Sequence, residues 1–240
     1  MKRAPLIGIL AVLVAAAGLC AYRYYDTAVL PEKRLDEADA QQLALFESIR
    51  PASADANGTP LEAAQAVNAS VTAWLTIPDT HIDYPIAQAE DNDFYLHHGF
   101  DGALNQELGC PFLDYRCERD FSGFNSIVYA HHMTRQRMFA DIALFKDESF
   151  LQSHPEGTLT LPDGTHTVRF YAYLTVPSTA PAYHTVFVTD VQRREYLDYI
   201  ASAASVLQPT GPDESSRLLL LSTCTFEYEE ARGVLVGVIE

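Results

Sequence analysis

From Ala73 to the end of the chain, short apolar runs alternate with breaks rich in Pro, Gly, Asp and Asn. That texture predicts strands at 73–77, 81–86, 110–113, 126–131, 157–161, 166–176, 217–224 and 232–239. The run Leu218 to Leu221 is unbroken in its apolarity, and the segment opened by Arg232 is nearly so. A strand apolar on both faces has to be covered on both. Short strands of this kind leave no exposed edge when their sheet closes on itself, so the expected fold class is mainly β, a small barrel. Helical pieces interrupt it. The clearest spans 190–206, where Val191, Tyr196, Leu197, Ile200, Ala201 and Ala204 recur at helix spacing behind Asp190 as N-cap.

The front of the chain has a different texture. Residues 4–21 form a continuous run of small and apolar side chains, preceded by Lys2 and Arg3 and followed by Tyr22, Arg23, Tyr24 and Tyr25. As a helix, that run reaches roughly 27 Å, close to the hydrocarbon thickness of a bilayer. Two readings compete: a signal peptide cut near Ala15-Ala16-Ala17, and an uncleaved signal anchor. The length of the run favours the anchor. The basic pair then sets the N-terminus in the cytoplasm and everything from Tyr22 onward outside. Beyond it, 31–50 reads as an amphipathic helix, 51–60 as a loop and 61–71 as a second short helix. The expected domains are a membrane anchor at 1–25, a helical spacer at 26–72 and a β-barrel at 73–240.

With 240 residues, 48% of them hydrophobic and 20% charged, the chain can bury one sizeable core. Its net charge of -16 is dispersed through Asp and Glu, which excludes the basic footprint that nucleic acid requires. Four cysteines are present: Cys20, Cys110, Cys117 and Cys224. Cys20 follows a bulky Leu19, which disfavours a lipoprotein reading and makes it a membrane thiol. Cys110 and Cys117 could bridge a hairpin or remain two thiols, and spacing alone leaves both open. In either case Cys224 is left over.

Three side chains carry candidate chemistry. Cys224 closes an apolar strand and precedes a polar, acidic stretch, so a substrate could reach its sulfur; the bland reading is a buried, inert thiol. His131 and His132 stand where another strand gives way to a loop, and an imidazole titrates near neutrality. Adjacent residues on an extended strand point to opposite faces, which makes that doublet a poor chelate. No metal and no other cofactor is expected. Arg232 opens the strand after Cys224, and antiparallel pairing of the last two strands would draw the two together. A guanidinium is suited to holding a carbonyl or a developing oxyanion. Thiol, imidazole and guanidinium together are the inventory of cysteine-based acyl transfer.

The tail from Leu218 to Val238, with Leu221-Ser222-Thr223-Cys224, resembles the end of a sortase. Trp74-Leu75-Thr76-Ile77-Pro78, Ile82-Asp83-Tyr84-Pro85-Ile86, Asp91-Asn92-Asp93-Phe94-Tyr95-Leu96, Phe112-Leu113-Asp114, Tyr129-Ala130-His131-His132-Met133 and Met138-Phe139 follow in the order of a class B sortase. Ala130 stands where that family usually has Gly, and His132 where it has Asn. The resemblance implies an eight-stranded β-barrel with N-terminal helices and a long helix before the last two strands. It also implies a catalytic trio of Cys224, His131 and Arg232. The implied activity is that of a membrane-anchored cysteine transpeptidase, single-pass, with its catalytic domain outside the cell. Such an enzyme cuts the sorting-signal pentapeptide of secreted proteins through a thioester and passes the protein to a peptidoglycan precursor amine. A pilin lysine is the alternative acceptor. Two rivals remain at this stage. A papain-like or L,D-transpeptidase-like hydrolase also pairs Cys with His, although papain has its cysteine first in the chain. A surface module could instead use Tyr95-Leu96-His97-His98 and the His131-His132 doublet to bind metal or haem.

Overall fold

The computed structural model describes residues 4–49, 59–133, 136–225, 227 and 229–240. Its chain divides into two compact units, Met1–Phe46 and Glu47–Glu240. The first unit is helical. α1 (Ala4–Tyr24) covers the run expected to be an anchor, continues through a five-residue π-helical turn at Tyr25–Val29 and enters α2 (Leu30–Ile49). Among the described residues no helix is long and apolar enough to cross a membrane. Most of the expected loop at 51–60 lies outside the described residues.

The second unit opens with α3 (Pro60–Val67), started by a reciprocal cap in which Glu62 N–H donates to Thr59 Oγ1 and Thr59 N–H donates to Glu62 Oε2. A mainly β architecture follows: β1 (Val71–Thr76), β2 (Asp83–Ala87), β3 (Phe112–Leu113), β4 (Asn125–Tyr129), β5 (His132–Met133), β6 (Arg137–Met138), β7 (Glu156–Leu161), β8 (Gly164–Pro177), β9 (Ala204–Leu207), β10 (Arg217–Cys224) and β11 (Ala231–Ile239). α4 (Glu148–Ser153) precedes β7, and α5 (Asp190–Ala203) precedes β9. The sheet runs β11-β10-β4-β3-β2-β1-β7-β8, and β11 pairs with β8 to close eight strands into a barrel. All eight expected strands are present.

The differences from expectation have local causes. The helix anticipated over 190–206 stops at Ala203, because Ala204–Leu207 pairs as β9 with the open flank of β8, setting Val206 opposite Tyr173. Alternating Ala204 and Val206 suits either structure, and the unfilled hydrogen bonds of β8 decide it. The cap of α5 is Thr189, one residue before the expected Asp190, since only Thr189 sits three positions from Gln192 to form the reciprocal pair. The hairpin β5–β6 was not foreseen, being two residues on each side.

Both faces of the final strands are covered, as their sequence demands. Leu218, Leu220, Val234, Val236 and Val238 pack with Tyr196 and Ile200 of α5, whereas Leu219, Leu221 and Leu235, of opposite parity, are fully buried on the other face. Each buried leucine contributes roughly 1.5–3 kcal/mol. Cys224 shares the parity of Leu218, Leu220 and Ser222, so it lies on the α5-covered face, where that cover ends.

Candidate active site

Three neighbouring strand ends form the site. β4 and β10 are parallel, with Leu218 opposite Asn125 and Ser222 opposite Tyr129. That register, carried two residues further, sets His131 beside Cys224. β10 and β11 are antiparallel, and Cys224 is the direct partner of Arg232. Partners across an antiparallel pair project from the same face, so the Cys224 and Arg232 side chains leave the sheet on one side. Past the end of β4 the ladder continues: Ala130 N–H donates to the Ser222 carbonyl at 3.2 Å, and Thr223 Oγ1 donates to the Ala130 carbonyl at 2.9 Å. These bonds tie the His131 segment to the strand that carries the sulfur.

Cys224, His131 and Arg232 line one cleft of about 500 Å³, together with Tyr129, Tyr183 and Ser222. Cys224 is exposed, and His131 is half-buried. The His131 ring is held from one side by Nε2, which lies 2.9 Å from the Leu96 carbonyl. A carbonyl only accepts, so Nε2 carries the hydrogen and Nδ1 is left to take or give a proton. Arg232 is 27% exposed and is paired through Nη2 with Glu230 Oε2 at 3.2 Å.

One wall of the cleft is organised by Asp114, which is wholly buried. Its carboxylate accepts from Arg116 Nε at 2.9 Å and Nη2 at 2.6 Å, from Asn92 Nδ2 at 3.0 Å and from the Tyr129 hydroxyl at 3.0 Å. Asn92, Arg116 and Tyr129 all face the cleft. Burial by itself would raise the Asp114 pKa, but the Arg116 and Asn92 hydrogen bonds outweigh it and hold the carboxyl below its ordinary range. Burial, followed by the neighbouring Asp114 charge, raises the Tyr129 phenol. Burial also pushes Tyr183 up to about 12, so it stays neutral and shares a 2.9 Å hydrogen bond with Ser222 Oγ.

The remaining candidates fall elsewhere. Cys110 and Cys117 are free thiols, so the bridging alternative is not realised. Burial raises Cys110 strongly and brings Cys117 to about 11. His132 belongs to β5, opposite Met138, and burial lowers its pKa. His98 stacks on Phe94 with ring centroids 4.0 Å apart, while His97 is exposed after the short turn Phe94–Leu96. Among the described residues, no group of three or more His, Cys, Asp or Glu could hold a metal ion. Sequence reasoning did not assign roles to Asp114, Arg116, Tyr183 or Glu230. A carboxylate closing the apolar Phe112-Leu113 pair, with an arginine two residues on, is the signal that marks the first two. An acid two residues before Arg232, at the end of the acidic stretch, marks the last.

The chain has counterparts among known proteins. No family model matches the sequence. The chain is 34% identical over 177 residues to sortase B of Listeria monocytogenes serovar 1/2a, covering 72% of this chain and 71% of that protein. The chain belongs to the class B sortases. Solved structures of such sortases are similar to it. That of Clostridium perfringens sortase B has a TM-score of 0.70 at 27% identity, covering 75% of this chain and 98% of its own. A Streptococcus pyogenes class B sortase involved in pilus biogenesis has a TM-score of 0.68 at 29% identity, covering 77% of this chain and all of its own. The closed eight-stranded barrel and the N-terminal helices are those of a sortase, and the enzyme class is cysteine transpeptidase.

Proposed function

We propose that this class B sortase cleaves the C-terminal sorting signal of secreted proteins with Cys224 and transfers the freed acyl group to an amine of the cell wall. The single observation that carries the reading is the shared cleft of Cys224, His131 and Arg232, set by strand register. The Cys224 thiolate attacks a peptide carbonyl carbon, and the carbonyl π pair moves to oxygen, where Arg232 donates hydrogen bonds to the oxyanion. The oxyanion collapses, the C–N bond breaks and His131 Nδ1 gives its proton to the departing amine. A thioester on Cys224 remains. The incoming amine attacks that thioester and loses its proton to His131, and the thiolate leaves. The Asn92, Arg116 and Tyr183 wall offers polar partners for an extended peptide.

The apolar run 4–21 supports a signal anchor that tethers the barrel outside the membrane, where secreted substrates emerge and effective concentration is raised. A pilin lysine is the second acceptor to consider, because a similar Streptococcus pyogenes enzyme takes part in pilus biogenesis. The test is mass spectrometry of the protein with sorting peptides built on Asn-Pro-x-Thr-Asn. A thioester adduct on Cys224, absent from Cys224→Ala, is expected; cleavage retained in Cys224→Ala overturns the reading. Deleting 1–25 should move the protein from the membrane fraction to the soluble one.

A further inference from the structure

Glu230 stands in the turn that leads into β11, two residues before Arg232, with φ of 62°. That is the left-handed region, which costs a non-glycine residue stability. Its carboxylate Oε2 accepts from Arg232 Nη2 and from Ser178 Oγ, both at 3.2 Å, and its carbonyl accepts from Ser178 N–H at 3.2 Å. Ser178 follows β8 directly and lines the cleft. Arg232 Nη1 in turn donates to the Ala231 carbonyl at 3.1 Å. The guanidinium is therefore gripped at both terminal nitrogens, and the carboxylate that grips it is itself fastened to a neighbouring strand end.

Stability does not account for this arrangement. The Glu230 side chain is 64% exposed, and an ion pair so exposed adds little to folding. A glycine would suit the backbone better. What the pair does is restrict a long, flexible side chain to one orientation at the edge of the cleft. A donor that must first find its orientation loses much of its value to a developing oxyanion.

We propose that Glu230 is a positioning residue, holding the Arg232 guanidinium over Cys224 through a carboxylate clamp braced by Ser178. This rests on the role assigned to Arg232 above. The clamp also balances the arginine's charge locally, so Arg232 meets the substrate as an aimed hydrogen-bond donor.

Glu230→Gly tests the proposal without endangering the fold, because glycine adopts the native backbone freely. The probe is a fluorophore-quencher peptide built on Asn-Pro-x-Thr-Asn that the wild type cleaves. Glu230→Gly should lower kcat about ten-fold, leave KM within about two-fold and keep or raise the melting temperature. Glu230→Gln, which retains an acceptor, should recover part of the loss. In an Arg232→Gln chain, adding Glu230→Gly should change the residual rate less than about two-fold, since the two residues act as one unit. Full kcat in Glu230→Gly, or an undiminished ten-fold loss in the Arg232→Gln chain, overturns the clamp and leaves the reading of the cleft intact. A wild type that forms no acyl-enzyme with any peptide of the panel overturns that reading, and the clamp with it.

Discussion

Cys224 and Arg232 face each other as the last pair of the β10–β11 ladder, and Thr225 N–H donates to the Ala231 carbonyl at 3.0 Å just beyond them. Neighbouring strands lie about 5 Å apart, so backbone pairing roots a permanently charged side chain directly across from the cysteine. Arg232→Lys keeps the charge and loses the planar fork of donors. It should lower kcat for peptide cleavage by about 10²-fold while the melting temperature moves little. Wild-type turnover in the lysine variant would show that the planar fork is not required.

Thr223 links the sulfur-bearing strand to the imidazole-bearing segment through the Ala130 carbonyl. Thr223 is 2% exposed and Ala130 is 7% exposed. Thr223→Val preserves shape and strands that buried carbonyl, so denaturant unfolding should register a loss of about 1–3 kcal/mol. Thr223→Ser should recover much of it. Equal stability of the valine variant and the wild type would mean that the bond contributes nothing.

Asp114 provides the pH dependence. Its folded pKa is depressed, so its stabilising contribution is complete above the ordinary value of 3.8 and is lost as pH falls through the lower folded value. At neutral pH, Asp114→Asn should cost about 3 kcal/mol, because Arg116 loses its buried partner. Below pH 3.8 the gap between variant and wild type should narrow. A gap that stays constant through acid titration of both melting curves would contradict the pairing.

The thiols should separate by environment. Cys110 is buried and Cys117 is brought to about 11, so at neutral pH both should alkylate slowly, and exposed Cys224 should modify first among the three. Peptide mapping after brief iodoacetamide treatment distinguishes Cys224 from Cys20, which is also exposed. Modification of Cys117 ahead of Cys224 would contradict the burial described for the barrel.

Much of the barrel was legible in advance because strand identity is written in local pattern. Apolarity at successive positions of Leu218 to Leu221 announced a strand covered twice, and α5 with the barrel interior supplies the two covers. What escaped were elements that depend on a distant partner. β9 formed because β8 offered it an edge, and β5 with β6 because two short segments met. The Asp114 cluster escaped for a similar reason: a carboxylate in a list of residues does not reveal that Arg116, Asn92 and Tyr129 converge on it.

The amino-acid order by itself determined the chemical kit of this protein, a thiol, an imidazole and a guanidinium each set at the margin of a strand, since residue type and short-range periodicity are local properties. Only the tertiary structure decided that the kit assembles. The parallel pairing of β4 with β10 joins segments more than ninety residues apart, and the pairing of β11 with β8 closes the sheet into a barrel. Register of that kind is chosen by the burial of whole faces at once, a long-range term that no short window of sequence contains.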